Sequence, residues 1–256
     1  MKNRFLFFSL IILIFFIFIA LILIPVKKKP IVKKAFVSKG EIAIVIDDWG
    51  YHLDNLSIIE GIKQPLTCAV LPNLKNSALV AQDLNKLKCE IILHLPMQPK
   101  EKFRLESNTI TLDMDSQQIL GILNRDLASV IFAKGLSNHM GSAITENEQI
   151  TSIIMTEAKR RKLYFLDSFV TAKSICKKTA KKTGIKFAQR NIFLDNQNDL
   201  EYIKGQIVKL KNLAGKYGTA IGIGHDRKIT LLALKEMLPQ LESQGYKFVF
   251  VSEATR

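Results

Sequence analysis

Residues 42 to 50 read IAIVIDDWG. Five apolar residues, four of them branched at Cβ, run straight into two adjacent carboxylates, an aromatic ring and a glycine. A short run without polar alternation reads as a strand buried on both faces, as strands are inside a parallel sheet covered by helices. Burying Ile42 to Ile46 fixes the point at which Asp47 and Asp48 emerge. Their side chains are expected to diverge as the strand ends, because successive residues of a strand point to opposite faces.

Further runs of strand length follow at Thr67–Leu71, Glu90–Leu93, Gly135–Asn138, Leu163–Leu166, Ile185–Ala188, Ala220–Ile223 and Lys247–Val251. Between them lie segments of helical period: Leu53–Ile62, Asn76–Lys86, Ser116–Ala133, Glu146–Arg161, Ala172–Thr183, Asp199–Tyr217 and Thr230–Gln244. Strand and helix alternating without tight hairpin signals predicts an α/β fold with mainly parallel strands. Eight such runs favour an irregular (β/α) barrel of seven or eight strands over an open doubly wound sheet. No GxGxxG follows the first strand and no GxxxxGK[ST] occurs, so nucleotide binding has no support.

The 256 residues divide into a short tail (1–4), an apolar segment (5–26), a basic tether (27–39) and one domain (40–256). Residues 5–26 carry no charge, and as a helix they would measure about 33 Å, enough to span a bilayer. The run is too long for a cleaved signal peptide and lacks a small-x-small site, so an uncleaved membrane anchor is expected. Lysines cluster after the span, and a literal positive-inside count places the domain in the cytoplasm. The net charge of +14 is concentrated by the seven basic residues before position 35. The 30 basic residues beyond them exceed the 23 acids by seven, scattered over helix faces without interleaved aromatics. Nucleic acid is therefore not expected as a partner, and attraction to anionic lipid or anionic glycan is as good an account of the excess. Cys68, Cys89 and Cys176 show no metal spacing and read as small packing residues.

In parallel α/β folds the site forms where strands end. Asp47 and Asp48 close the first strand, His94 lies in EIILHLPMQP, His139 in GLSNHMGS, Asp167 and Ser168 in LYFLDS, and His225 in AIGIGHDR. Three of the four histidines thus fall at strand ends; His52 sits at a helix start and reads as solvent-facing. A lone strand-end Asp is an ordinary cap and a lone His an ordinary core residue. Capping does not explain why both types gather at one end of the sheet. One carboxylate with two neutral imidazoles suits a divalent metal with open positions, leaving other groups for acid and base work. No arginine or lysine is seen to close a strand, which makes a phosphoester substrate a poor fit.

Together, in this order and spacing, IAIVIDDWG, EIILHLPMQP, SNHMGS, YFLDS and IGIGH resemble the divergent polysaccharide deacetylase family over residues 40 to 254. The resemblance implies an irregular (β/α) barrel, one divalent metal of zinc type, and removal of acetyl groups from a cell-envelope glycan. It implies Asp47 as general base, Asp48 and His94 as metal ligands, and His225 as general acid with Asp167 orienting it. His94 resembles the first histidine of the metal motif of the wider superfamily, whose better-studied deacetylases place a second histidine four residues later, but position 98 here is Gln98. Because the metal needs a third protein ligand, His139 is the candidate replacement. Asn138, Ser142 and Ser168 are candidates for contacts to substrate or to the ligands. Phe169 stands where a basic residue is expected and Asp226 where a proline is. An envelope glycan as substrate places the domain outside the cytoplasm, against the lysine count, and the family implication is preferred. The altered metal motif also allows a protein that binds glycan or assists envelope assembly without turnover.

Overall fold

The computed structural model describes residues 38–255. The apolar segment 5–26 and most of the tether lie outside the described residues, and no helix among those described is long and apolar enough to cross a membrane.

Nine strands form one sheet in which every pairing is parallel: β1 (Glu41–Trp49), β2 (Thr67–Val70), β3 (Glu90–Met97), β4 (Gly135–Met140), β5 (Tyr164–Asp167), β6 (Phe187–Gln189), β7 (Ile192–Phe193), β8 (Thr219–His225) and β9 (Lys247–Val249). The order is β6-β5-β4-β3-β2-β1-β8-β7. One edge of β1 pairs first with β9, over Glu41 to Ala43, and then with β2, from Val45 on. The described residues show no pairing between β6 and β7, so the curled sheet is an incompletely closed barrel.

Helices connect the strands: α1 (Leu56–Glu60), α2 (Ser77–Lys86), α3 (Ser116–Ser129), α4 (Glu148–Arg160), α5 (Cys176–Thr183), α6 (Leu200–Tyr217) and α7 (Lys228–Ser243). Asp115 caps α3 in a reciprocal capping box with Gln118, and Asn147 and Asp199 cap α4 and α6. The chain ends in a short helix, α8 (Val251–Ala254), where its first residue had been read as the end of a strand. The two-residue β7 escaped the sequence reading because it has no apolar run of strand length.

Two apolar clusters follow from strand alternation. Ile42, Ile44 and Ile46 of β1 pack outward with the helices, as do Ile91, Leu93 and Leu95 of β3. Ala43 and Val45 face the barrel interior with Ile92, Leu166, Ile221 and Ile223. The buried core runs from Ile42 to Val251. The cysteines are free, two of them buried in it.

Alternation also decides which side chains enter the barrel mouth. Asp47 continues the inward set of β1, His94 that of β3, and His225 that of β8. In β5 the inward set is Tyr164, Leu166 and Ser168, which turns Asp167 toward the helices.

Candidate active site

At the end of β1 the register with β2 shifts between Ile46 and Trp49, and Asp48 adopts a left-handed φ of 66°. Such a conformation is uncommon for a residue with a Cβ, and the irregularity re-aims its side chain. The two carboxylates therefore converge instead of diverging: Asp47 Oδ2 lies 3.6 Å and Asp48 Oδ1 3.3 Å from His94 Nε2. Asp48 Oδ1 is also 3.1 Å from His139 Nδ1. The His94 and His139 rings meet edge to face, 5.0 Å between centroids.

Asp48, His94 and His139 each offer one ligand atom, all within 4.8 Å of one another. Bonds of about 2.1 Å to one ion place neighbouring ligand atoms about 3.0 to 3.4 Å apart, so two of the three separations suit a shared divalent ion. One carboxylate and two imidazoles are the donor set expected for zinc or a similar metal. Ser137, which the sequence reading passed over, contacts His94 Nδ1 through its Oγ at 2.7 Å and leaves Nε2 to face Asp48.

The carboxyls differ in their electrostatics. Burial pushes Asp47 above the usual carboxylate range, with the charges of His94, His225 and His139 opposing. For Asp48, burial acts in the same direction but is outweighed by hydrogen bonds and charge from His139 and His94, so it is held far below that range. Asp47 Oδ1 and Ser168 Oγ are buried without a protein partner. The orphaned Asp47 oxygen, on a carboxyl that touches His94, suits a water as partner.

His225 is the register partner of Asp47 across β1 and β8. Its ring Nδ1 lies 2.8 Å from Asp195 Oδ1, and its backbone N–H donates to Asp195 Oδ2. The expected partner Asp167 is elsewhere: it accepts from Ser174 Oγ, the Phe169 amide and Gln189 on the helix side of β5. Asp195 is buried, and Thr230 Oγ1 donates to it as well. Burial raises the Asp195 carboxyl, but the His225 and Thr230 hydrogen bonds overcome that and leave it lowered. Burial works against charge on His225, yet Asp195, Asp48 and Asp47 raise its pKa overall. Gly224 permits this packing, since a Cβ there would meet Thr230 Cγ2 at 2.8 Å.

A strand-end cation that the sequence reading did not find is Arg190, just past β6. It donates to the carbonyls of Ser168 (2.6 Å) and Phe169 (2.7 Å), and its guanidinium lies 3.6 Å over the Phe193 ring. Phe193 in turn stacks on His225. Arg190 thus fastens the end of β5 to β7 where the barrel is open. Burial lowers its pKa to about 10, with Asp167 and Asp47 opposing. Its charge lies beside Phe169, where a basic residue was expected.

The other candidates hold loops. Asn138 bridges the Met140 carbonyl and the Ser168 amide, fixing the turn after His139. Ser142 accepts from the Lys100 amide and contacts Glu101. Gln98 accepts from the Leu112 amide, which ties it to the loop after β3. Asp226 accepts from Asn55 and lies 3.6 Å from His52, which ties the loops after β8 and β1 together.

Residues 44–255 match the model of the divergent polysaccharide deacetylases. The chain belongs to that family. It is 34% identical over 204 residues to an uncharacterised protein of Haemophilus influenzae, covering 80% of this chain and 73% of that one. It is also 34% identical over 202 residues to the uncharacterised YibQ of Escherichia coli, covering 79% of this chain and 63% of that relative. The chain thus spans less than two thirds of the second relative. Among solved structures, an uncharacterised protein of Agrobacterium tumefaciens has the same fold, with a TM-score of 0.80 at 20% identity over 85% of this chain and 90% of that one. More distant folds include the peptidoglycan N-acetylglucosamine deacetylase domain of Eubacterium rectale (TM-score 0.53, 12% identity, 82% and 88% covered). A CE4 family pseudoenzyme of Bacillus anthracis shares the fold to a similar degree (TM-score 0.53, 14% identity, 84% and 64% covered). Membership of the deacetylase family accounts for the barrel, and the two distant folds show that this architecture occurs with and without turnover.

Proposed function

We propose that this deacetylase-family protein hydrolyses acetyl groups from a cell-envelope glycan, using a divalent metal held by Asp48, His94 and His139. The observation that carries this reading is one Asp48 oxygen within 3.3 Å of nitrogens from two histidines, with a second carboxyl, Asp47, against the same cluster. When bound there, a divalent ion of zinc type supplies Lewis acidity toward an acetyl carbonyl and acidifies a bound water.

The chain's own groups complete the chemistry. Asp47, made more basic by burial, accepts a proton from the attacking water as the water oxygen bonds to the acetyl carbon. Asp195 takes His225 Nδ1–H, directs Nε2 toward the mouth and sustains a proton on the ring. His225 gives that proton to the departing glycan nitrogen or oxygen as its bond to the acetyl carbon breaks. The products are acetate and a free amine or hydroxyl. Arg190 and Phe193 hold the His225 side of the mouth in place. A substrate of this class places the domain outside the cytoplasm.

The test is metal content and acetate release measured on the same protein. Native protein should retain one divalent ion and release acetate from N-acetylated peptidoglycan fragments or O-acetylated glycans. Asp48→Ala and His139→Ala should lose the ion, while Asp47→Asn should keep it and lose acetate release. A metal-free native protein, unaffected by the ligand substitutions, would end this reading. Gln98, bonded to its loop where the wider superfamily's second metal histidine is expected, favours a second reading as a glycan-binding protein without turnover. Glycan binding that persists in Asp47→Asn, with no acetate from any substrate, would select it.

A further inference from the structure

The end of the barrel opposite the mouth is lined by lysines. Lys39, Lys88, Lys134, Lys162 and Lys186 occupy the turns that lead into β1, β3, β4, β5 and β6, Lys216 lies in the last turn of α6 before β8, and every one is exposed. Among the described residues none of these six is paired with a carboxylate. Helix C-termini attract cations, which accounts for lysines within a last turn such as Lys86, Lys159 and Lys216. It does not account for Lys88, Lys134, Lys162 and Lys186, which stand beyond the helix ends. Of the acids at this end, Glu41 is engaged with Lys247, Glu157 with Arg160 and Arg161, and Asp83 with Lys86, while Glu242 and Glu253 are exposed without an ion pair, so the lysines outnumber the unpaired acids.

Large apolar side chains project among the lysines. Ile131 and Phe132, at the tip of the turn before β4, are 42% and 49% exposed, and Tyr217, before β8, is 62% exposed. A cavity of about 800 Å³ opens on this side, at the seam between β6 and β8, lined by Lys177, Lys181, Lys186 and Tyr217 with no acidic side chain. Exposed aromatics interleaved with lysines are the composition of surfaces that rest in the headgroup region of a bilayer.

The chain enters the domain at this same end: the Lys39 amide donates to the Gly245 carbonyl, and β1 begins two residues later. In sequence the tether joins this point to the uncharged segment 5–26, and its 13 residues reach at most about 45 Å.

We infer that this end of the barrel docks on the surface of a bilayer carrying anionic lipid headgroups, with the lysines at the phosphates and Phe132 and Tyr217 in the headgroup layer. The mouth then faces away from the membrane, toward glycan. This docking is independent of the chemistry at the mouth.

Residues 38–256 carry the whole described core, so this fragment tests the surface without the apolar segment. It is sedimented with vesicles of phosphatidylcholine alone or mixed with phosphatidylglycerol. Partitioning onto anionic vesicles should exceed that onto neutral ones by at least about tenfold and fall with added salt. Lys134→Glu/Lys162→Glu/Lys186→Glu should lower it by about 100-fold or more, and the milder triple change to Gln serves if the first does not fold. Phe132→Ser should weaken the binding that survives at high salt. Reversing Lys75, Lys209 and Lys235, exposed away from this end, should leave partitioning nearly intact. Equal binding to both vesicle types, equal loss in the control, or binding to a soluble anionic polysaccharide without vesicle binding would overturn the inference.

Discussion

Asp195 holds His225 at two points, taking the ring Nδ1 on one carboxylate oxygen and the backbone amide on the other, each at 2.8 Å. The contact fixes both the place of the imidazole and which nitrogen faces the mouth, and it raises the His225 pKa while lowering that of Asp195. A general acid must carry its proton, so activity should fall as pH rises through the His225 value. In Asp195→Asn that alkaline limb should move to lower pH and kcat should drop by about 10² to 10⁴, with metal content unchanged. The pH–rate profile measures the shift.

The same pair bears on stability. His225, with its folded pKa raised, adds stability below the ordinary imidazole pKa that is lost as pH rises through the raised value. Asp195, with its folded pKa lowered, adds stability above the ordinary carboxylate pKa that is lost as pH falls through the lowered one. Asp195→Asn should therefore melt below the native protein in the interval between, and the difference should shrink toward either extreme. A melting series against pH checks both signs.

Ser137 acts on His94 Nδ1 from the neighbouring strand. Ser137→Ala should weaken metal affinity by about 10- to 100-fold, the usual cost of freeing a ligand imidazole from its support. Competition with a chelator reads this directly, and a normal thermal melt of the metal-free variant separates it from general damage.

The strand ends were legible because their apolar runs stop at unusual residues, and β1, β3, β4 and β8 delivered Asp47, Asp48, His94, His139 and His225 to one mouth. Asp167 was misplaced because Leu163–Leu166 is apolar throughout. With no polar alternation to mark a face, nothing showed that Asp167 falls on the outward one. Asp195 was missed although its setting, IFLD at 192–195, repeats the YFLD of 164–167. Two paired residues are too few to read as a strand. The convergence of Asp47 and Asp48 depends on a left-handed φ at Asp48, a conformation that no residue pattern announces.

Arg190 joins the two edges of the open barrel through carbonyls on one side and an aromatic face on the other. Arg190→Ala should destabilise the protein by about 2 to 4 kcal/mol, since two partly buried carbonyls lose charge-assisted partners and the stacking on Phe193 is lost. At this chain length that is roughly a 6 to 12 °C loss in Tm. Arg190→Lys should recover little, because an ammonium cannot make two fixed, diverging bonds and stack on Phe193 together. If lysine restored both Tm and activity, charge alone would be the relevant property.

Gln98 stands four residues after His94, where a histidine would be expected by resemblance to the better-studied deacetylases of the wider superfamily, and introducing that histidine is the obvious attempt to strengthen the site. Gln98 Oε1, however, accepts from the Leu112 amide, and the Gln98 backbone pairs with Ile110 and Ala143. The side chain anchors the loop after β3 while His139 faces Asp48 from β4. Gln98→His should therefore leave metal affinity within about twofold of native and destabilise the protein by about 1 kcal/mol through the lost loop bond. Gln98→His combined with His139→Ala should bind metal as poorly as His139→Ala alone. Recovery of metal binding in the double variant would show that position 98 reaches the site and that the loop, not the ligand set, is what this chain has altered.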